Sequence, residues 1–123
     1  CYLAIKLIHK GKIFMNIWEN GQYKEIWVYS EETEYDERAM MALINDDCGW
    51  IMYIHEEGDS GLSSRNPYYI GTDDDGKTID FMLSNGQLDK YPLSYVIPLE
   101  QVMKALNYFE KYHKLPNFIT WHD

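Results

Sequence analysis

Apolar and polar residues alternate through most of the first half of the chain. In Tyr2–Ile8, Leu3, Ile5 and Leu7 share one face, and in the next run Ile13, Met15 and Ile17 do the same. A period of two is that of a strand, whose successive side chains point to opposite faces. Lys10-Gly11 between the runs reads as a turn, so the chain is expected to open on a hairpin. Asn20-Gly21 separates Lys12–Trp18 from Tyr23–Tyr29 and is expected to supply the two positive-φ positions of a tight primed turn, which makes Tyr23–Tyr29 a third strand.

Residues 30–37 are nearly all polar and predict a surface connection. Arg38–Asn45 is ambiguous, because Ala, Met and Leu favour helix by propensity while eight residues make a short one. The residues after it decide for a strand. Asp46-Asp47 reads as a turn, and Cys48–His55 alternates Trp50, Met52 and Ile54 with Ile51, Tyr53 and His55, as a return strand does.

Glu56–Ile70 is rich in Gly, Ser and Pro, ends on Tyr68 and Tyr69, and reads as a long loop of the kind that often carries function. After a turn at Thr72–Gly76, Lys77–Ser84 predicts a strand with Ile79, Phe81 and Leu83 on one face. Asn85-Gly86 marks another turn, and Leu93–Ile97 a short strand closed by Pro98. Leu99–His113 predicts a helix, with an apolar stripe of Leu99, Val102, Met103, Leu106 and Phe109 opposite Glu100, Gln101, Lys104, Asn107, Glu110 and Lys111. Pro98 suits its start, Lys111 and Lys114 suit the negative end of its dipole, and Pro116 stops it. Phe118–Trp121 predicts a last strand. The order of elements implies one α+β domain over residues 1–123, a largely antiparallel sheet with one main C-terminal amphipathic helix packed on it.

Composition adds a bias of charge. Twenty acidic against 11 basic side chains give a formal charge of −9. The bias is local: Glu31–Asp75 holds 13 carboxylates and only Arg38 and Arg65, a charge of −11, which leaves +2 for the rest. Such a segment repels phosphates, so direct binding of nucleic acid is not expected, and it attracts a basic partner. No apolar run approaches the ~20 residues of a bilayer span, and Lys6, His9, Lys10 and Lys12 interrupt the N-terminal apolar segment. A soluble protein without an evident signal peptide is expected. Cys1 and Cys48 form no disulfide framework and no Cys-rich zinc site.

The chemical inventory points away from catalysis. His9, His55, His113 and His122 lack metal-ligand spacing and have no nucleophile beside them. His122-Asp123 has no upstream histidine pattern. Asp73-Asp74-Asp75-Gly76 lacks the alternating ligands of a calcium loop, which leaves weak calcium binding as an alternative, and Gly58-Asp59-Ser60-Gly61 is not a nucleophile turn. Cys48 is read as a buried hairpin thiol rather than a reactive one. No cofactor and no metal are expected. Tyr and Trp are suited to contact surfaces, and Trp50, Tyr53, Tyr68 and Tyr69 lie near the acidic segment.

Asn45-Asp46-Asp47-Cys48-Gly49-Trp50-Ile51-Met52-Tyr53, then Gly58-Asp59-Ser60, Asn66-Pro67, Ile79-Asp80-Phe81 and Asn85-Gly86-Gln87 come in an order that resembles a bacterial immunity-protein family of polymorphic toxin systems. Ile97-Pro98-Leu99-Glu100-Gln101, Ala105-Leu106, Phe109, Leu115-Pro116 and Ile119-Thr120-Trp121 resemble that family's ending. The resemblance covers about residues 40–123. It implies a small cytoplasmic α+β protein, not an enzyme, that binds and neutralises a cognate toxin domain, frequently a nucleic acid deaminase and sometimes a nuclease. On this reading the partner is a basic toxin domain whose cleft is occluded. Asp46, Asp47, Glu56, Glu57, Asp59, Asp73, Asp74 and Asp75 would pair with its Lys and Arg side chains, and Trp50, Tyr68 or Tyr69 would anchor the contact. The alternatives are a small metal-dependent hydrolase and a homodimeric regulatory binding module.

Overall fold

The alternation of the first half becomes an antiparallel meander. In the computed structural model, described over residues 4–10, 13–30, 38–56 and 60–122, β1 (Ala4–Lys10), β2 (Ile13–Asn20), β3 (Tyr23–Ser30), β4 (Ala39–Asn45) and β5 (Cys48–Ile54) each pair antiparallel with the next. β6 (Leu62–Arg65) and β10 (Thr120–His122) extend the sheet beyond β5, giving the order β1-β2-β3-β4-β5-β6-β10, and a short β9 (Ile97–Pro98) also pairs with β5. β7 (Thr78–Met82) and β8 (Leu88–Pro92) form a separate hairpin. Helix α1 (Leu99–Tyr112) packs on the sheet, so the fold is α+β as expected.

The middle strand sets the layering. Every residue from Ala39 to Ile44 is buried, which a strand achieves only when both of its faces are covered. Met40, Ala42 and Ile44 of β4, with Ile26 and Val28 of β3 and Ile51 and Tyr53 of β5, meet Val102, Ala105, Leu106 and Phe109 of α1. Met41 and Leu43, with Trp50 of β5, point the other way and meet Phe81 of β7. The sheet is thus sandwiched between a helix and a hairpin, and the period of two sorts its side chains between two cores. The helix approaches closely because Gly49 lies beneath it: a Cβ there would stand 2.9 Å from Val102 Cγ2 and 2.8 Å from the Leu43 carbonyl oxygen.

His113 fastens the end of α1. It adopts the left-handed conformation that closes a helix (φ 56°), its N–H donates to the Phe109 carbonyl, and its Nδ1 lies 3.0 Å from Ser30 Oγ on β3. Its carbonyl accepts from Arg38. This histidine is a structural cap.

Several expectations need correction. The turn after β2 is Gly21-Gln22, since Asn20 still pairs with Tyr23, and only Gly21 takes positive φ (59°). The expected loop 56–70 contains β6, whose Ser64 is buried and accepts a hydrogen bond from the Ile51 N–H while donating to the Tyr95 carbonyl. The expected strand Leu93–Ile97 is a 3₁₀ turn (Leu93–Tyr95) leading into β9, and β8, which pairs with β7, was not expected. Met103 is exposed, and Ala105 takes its place in the buried stripe of α1. The last strand starts at Thr120 rather than Phe118. Of the expected connection 30–37, Ser30 is instead the buried last residue of β3, while residues 31–37 and the Gly11 turn lie outside the described residues.

Gly49→Ala should destabilise the protein by about 1–3 kcal/mol, the usual cost of overpacking a tight contact, seen as a lower midpoint in thermal unfolding. An unchanged midpoint would show that α1 gives way freely at Val102.

Candidate functional site

The segment 66–77 joins β6 to β7, and short polar side chains give it its shape. The Asn66 N–H donates to the Ser94 carbonyl (2.8 Å), and Asn66 Oδ1 accepts from the Tyr68 N–H (2.9 Å), the self-bonded turn that Asn favours. Asp75 Oδ1 accepts from the Lys77 N–H (2.9 Å), and its other oxygen accepts from the Tyr69 hydroxyl. Gly71 (φ 142°) makes room for that pair, because a Cβ would stand 2.5 Å from Asp75 Oδ2. Asp73 accepts from Ser94 Oγ (2.7 Å) and forms an ion pair with Arg65, whose guanidinium lies over the Tyr95 ring. Asp74 takes the Thr72 hydroxyl (2.8 Å).

The loop is therefore pinned on one side and bare on the other. Tyr68 is 89% exposed and Ile70 93%. Tyr68 also walls a cleft of about 560 Å³ with Arg65, Pro98, Glu100, Gln101 and Phe118.

The expected acidic residues do not form one cluster. Asp46 and Asp47 are exposed in the two-residue turn between β4 and β5, where Asp46 has positive φ (56°), the Asp46 N–H donates to the Gln22 carbonyl, and the Asp47 carbonyl accepts from the Leu99 N–H. β6 runs antiparallel to β5 and leaves the sheet towards this same end, so the turn and loop 66–77 share one end of the sheet. Glu56 is exposed beyond the other end of β5, a strand whose seven residues span ~20 Å at ~3.3 Å per residue. Glu57 and Asp59 lie outside the described residues. Trp50, expected as an anchor, is 6% exposed and stacks on Tyr91 at 4.8 Å, and Tyr53 is likewise buried. Both are core residues that hold up the surface from beneath.

One feature of the surface was not among the expectations. Where the β7–β8 hairpin stops, the outer face of β2 and β3 is left as a groove of about 440 Å³ lined by Asn16, Trp18, Glu25, Trp27, Tyr29 and Ser84. Trp27 and Tyr29 stack with ring centroids 5.7 Å apart and planes 9° from parallel. The signal was present: Glu25, Trp27 and Tyr29 are the alternate residues of β3, opposite Ile26 and Val28, and two aromatics occupy what alternation assigns to solvent.

Other chemical candidates are occupied structurally. Cys48 is half-buried and its thiol donates to the Asn45 carbonyl (3.3 Å), and burial, then Asp47 and Asp46, push its pKa up, away from a reactive thiolate. His122 packs against the Tyr95 ring at 4.5 Å. Among the described residues no group of three or more His, Cys, Asp or Glu is placed to hold a metal ion, and no helix is long and apolar enough to cross a membrane.

Two of the loop's carboxyls, Asp73 and Asp75, titrate low. The Ser94 hydroxyl, then Arg65, hold Asp73 below the usual carboxylate range, and the Tyr69 hydroxyl, then the Lys77 N–H, do so for Asp75. The same bond raises Tyr69 above its ordinary value. A depressed carboxyl contributes stability above its unfolded pKa, here 3.8, and loses it as pH falls through the lower folded value. The ties therefore hold at neutral pH and release only in strong acid. Ser94→Ala should move the Asp73 midpoint up and leave Asp75 in place, while Tyr69→Phe should do the reverse. Carboxyl-carbon NMR titration reads both, and an Asp73 midpoint unmoved by Ser94→Ala would remove Ser94 as the cause.

No curated protein matches the chain. A family model described as immunity protein Imm1 matches residues 19–123, from the end of β2 to the C terminus, some twenty residues further towards the N terminus than the motifs at 40–123. That span takes in both cores, the braced loop and the helix. The chain therefore belongs to the Imm1 family of immunity proteins, whose partners are toxins.

Proposed function

We propose that this protein neutralises a nucleic-acid-targeting toxin, a deaminase or a nuclease, by laying loop 66–77 and the Asp46-Asp47 turn over the toxin's basic cleft. The observation that carries the reading is the pairing of Tyr68 and Ile70, nearly fully exposed, with three consecutive aspartates on a loop whose backbone is already fixed. A cleft that binds phosphates is lined with Lys and Arg, and an acidic, aromatic projection complements it. Because the loop is pre-ordered, docking costs little conformational entropy. A standard interface takes ~800 Å² per partner, about a tenth of the 7469 Å² surface, and one end of the sheet provides that.

The two kinds of side chain have different work. Exposed ion pairs contribute about 0–1 kcal/mol each, so the aspartates chiefly raise the association rate. Apolar anchors that become buried set how long the complex lasts. The protein acts by contact alone, in the cytoplasm where the nucleic acid is, and no residue of it takes part in a reaction.

Binding kinetics with the purified C-terminal fragment of the polypeptide encoded immediately upstream test this. Asp47→Lys with Asp74→Lys should slow association at low salt and leave dissociation nearly unchanged; both carboxylates are free of the Asp73 and Asp75 ties. Tyr68→Ala should speed dissociation by about tenfold or more, the effect of a truncated anchor. Wild-type kinetics from all three substitutions would place the contact elsewhere and overturn the reading.

A further inference from the structure

The groove on β2 and β3 differs in chemistry from loop 66–77. Its wall is aromatic: Trp27 and Tyr29 stack with their planes nearly parallel, and Trp18 stands across from Glu25 in the β2–β3 register. In this wall sits one carboxylate. Glu25 Oε2 accepts from Trp27 Nε1 and Oε1 from the Ser84 N–H, each at 3.1 Å. Those donors are neutral, and no cation pairs with Glu25 among the described residues. Each carboxylate oxygen has a second lone pair with which to accept.

An apolar occupant would strip water from a charged carboxylate and give nothing back. A cation removes that objection, and the flat ring faces favour one that is planar. A guanidinium meets both demands, with two parallel N–H groups for the two oxygens of Glu25 and a face to lay on Trp27 or Tyr29. The volume of about 440 Å³ falls within the ~300–1,000 Å³ of ligand pockets and admits one long side chain with its stem. We propose that the groove receives a single arginine side chain of the toxin, held between Glu25 and the Trp27–Tyr29 face. This inference rests on the immunity reading for its partner and adds a second contact of different kind, a buried charge pair where loop 66–77 offers exposed ones. Burial raises the pKa of Tyr29, its bond to Asn16 opposes this, and the charge of Glu25 adds a smaller upward push.

The test separates the groove from the toxin. The ¹⁵N-labelled protein is titrated with Nα-acetyl-arginine methylamide at millimolar concentration, in parallel with the citrulline analogue, which has the same shape without the charge. The Trp27 indole N–H signal should move with arginine, move little with citrulline, and stay still with arginine in Glu25→Gln. Equal response to both compounds, or an undiminished response in Glu25→Gln, overturns the proposal. With the toxin fragment, Glu25→Gln should weaken binding at least about tenfold, as loss of one partner of a desolvated charge pair does, and Trp27→Ala should weaken it at a melting temperature close to wild type. A toxin that binds both variants as tightly as wild type shows that the groove lies outside the interface, and the inference fails while the immunity reading stands. If the fragment fails to bind even wild type, the immunity reading fails, and the arginine titration alone decides the groove.

Discussion

Everything in this molecule is arranged around a strand that has no wet face. Ala39–Ile44 is buried throughout, and a sheet whose middle strand is apolar on both sides needs a cover on each. The helix supplies one through Val102, Ala105, Leu106 and Phe109, and the β7–β8 hairpin supplies the other through Phe81. Both covers are tied down at their ends. His113 joins the end of α1 to Ser30 and Arg38, while Asn45 Nδ2 donates to the Asp80 carbonyl and Glu25 receives the Ser84 N–H, which fixes the hairpin across β4 and β3.

These covers decide what remains for a partner. The hairpin covers β4 and β5 through Phe81 and reaches β2 and β3 at the Met82 sulfur and the Ser84 N–H, and beside those contacts the outer face of β2 and β3 is left as a groove. The connection that leads into it leaves the sheet as loop 66–77, and Asp73, tied to Ser94 just after β8, holds that loop down. Core and candidate interface thus share residues. Trp50 belongs to the core, and Tyr91, on which it stacks, belongs to the hairpin that borders both surfaces. On this account an exposed loop supplies rate and a recessed groove supplies a directional contact, a division that also favours one toxin over others.

The outer strands of the meander and the helix were legible in the sequence because each keeps one period over seven or more residues. Arg38–Asn45 was settled by its neighbours rather than by its own propensities, and the structure makes it a strand. The missed elements lack such a period. β6 reads Leu-Ser-Ser-Arg, and its inward residue is Ser64, which satisfies its hydroxyl on the Ile51 N–H and the Tyr95 carbonyl instead of presenting an apolar side chain. Leu93, Tyr95 and Ile97 alternate as a strand would, yet Leu93–Tyr95 turns as a 3₁₀ helix because the Leu93 N–H goes to the Lys77 carbonyl and the Val96 N–H to Leu93 itself. At the surface, charge and aromatic content identified loop 66–77, but no local pattern could place Trp50 inside or show that a groove opens beside Trp27. Those are facts about which layer covers which.

Amide hydrogen exchange of this protein, free and bound to the toxin fragment, tests the central claim most directly. Binding at the acidic end of the sheet predicts slowed exchange in residues 66–76 and at the Asp46-Asp47 turn, with the outer face of α1 around Met103 and Asn107 unchanged. Protection confined to α1, with 66–76 exchanging as in the free protein, would contradict it.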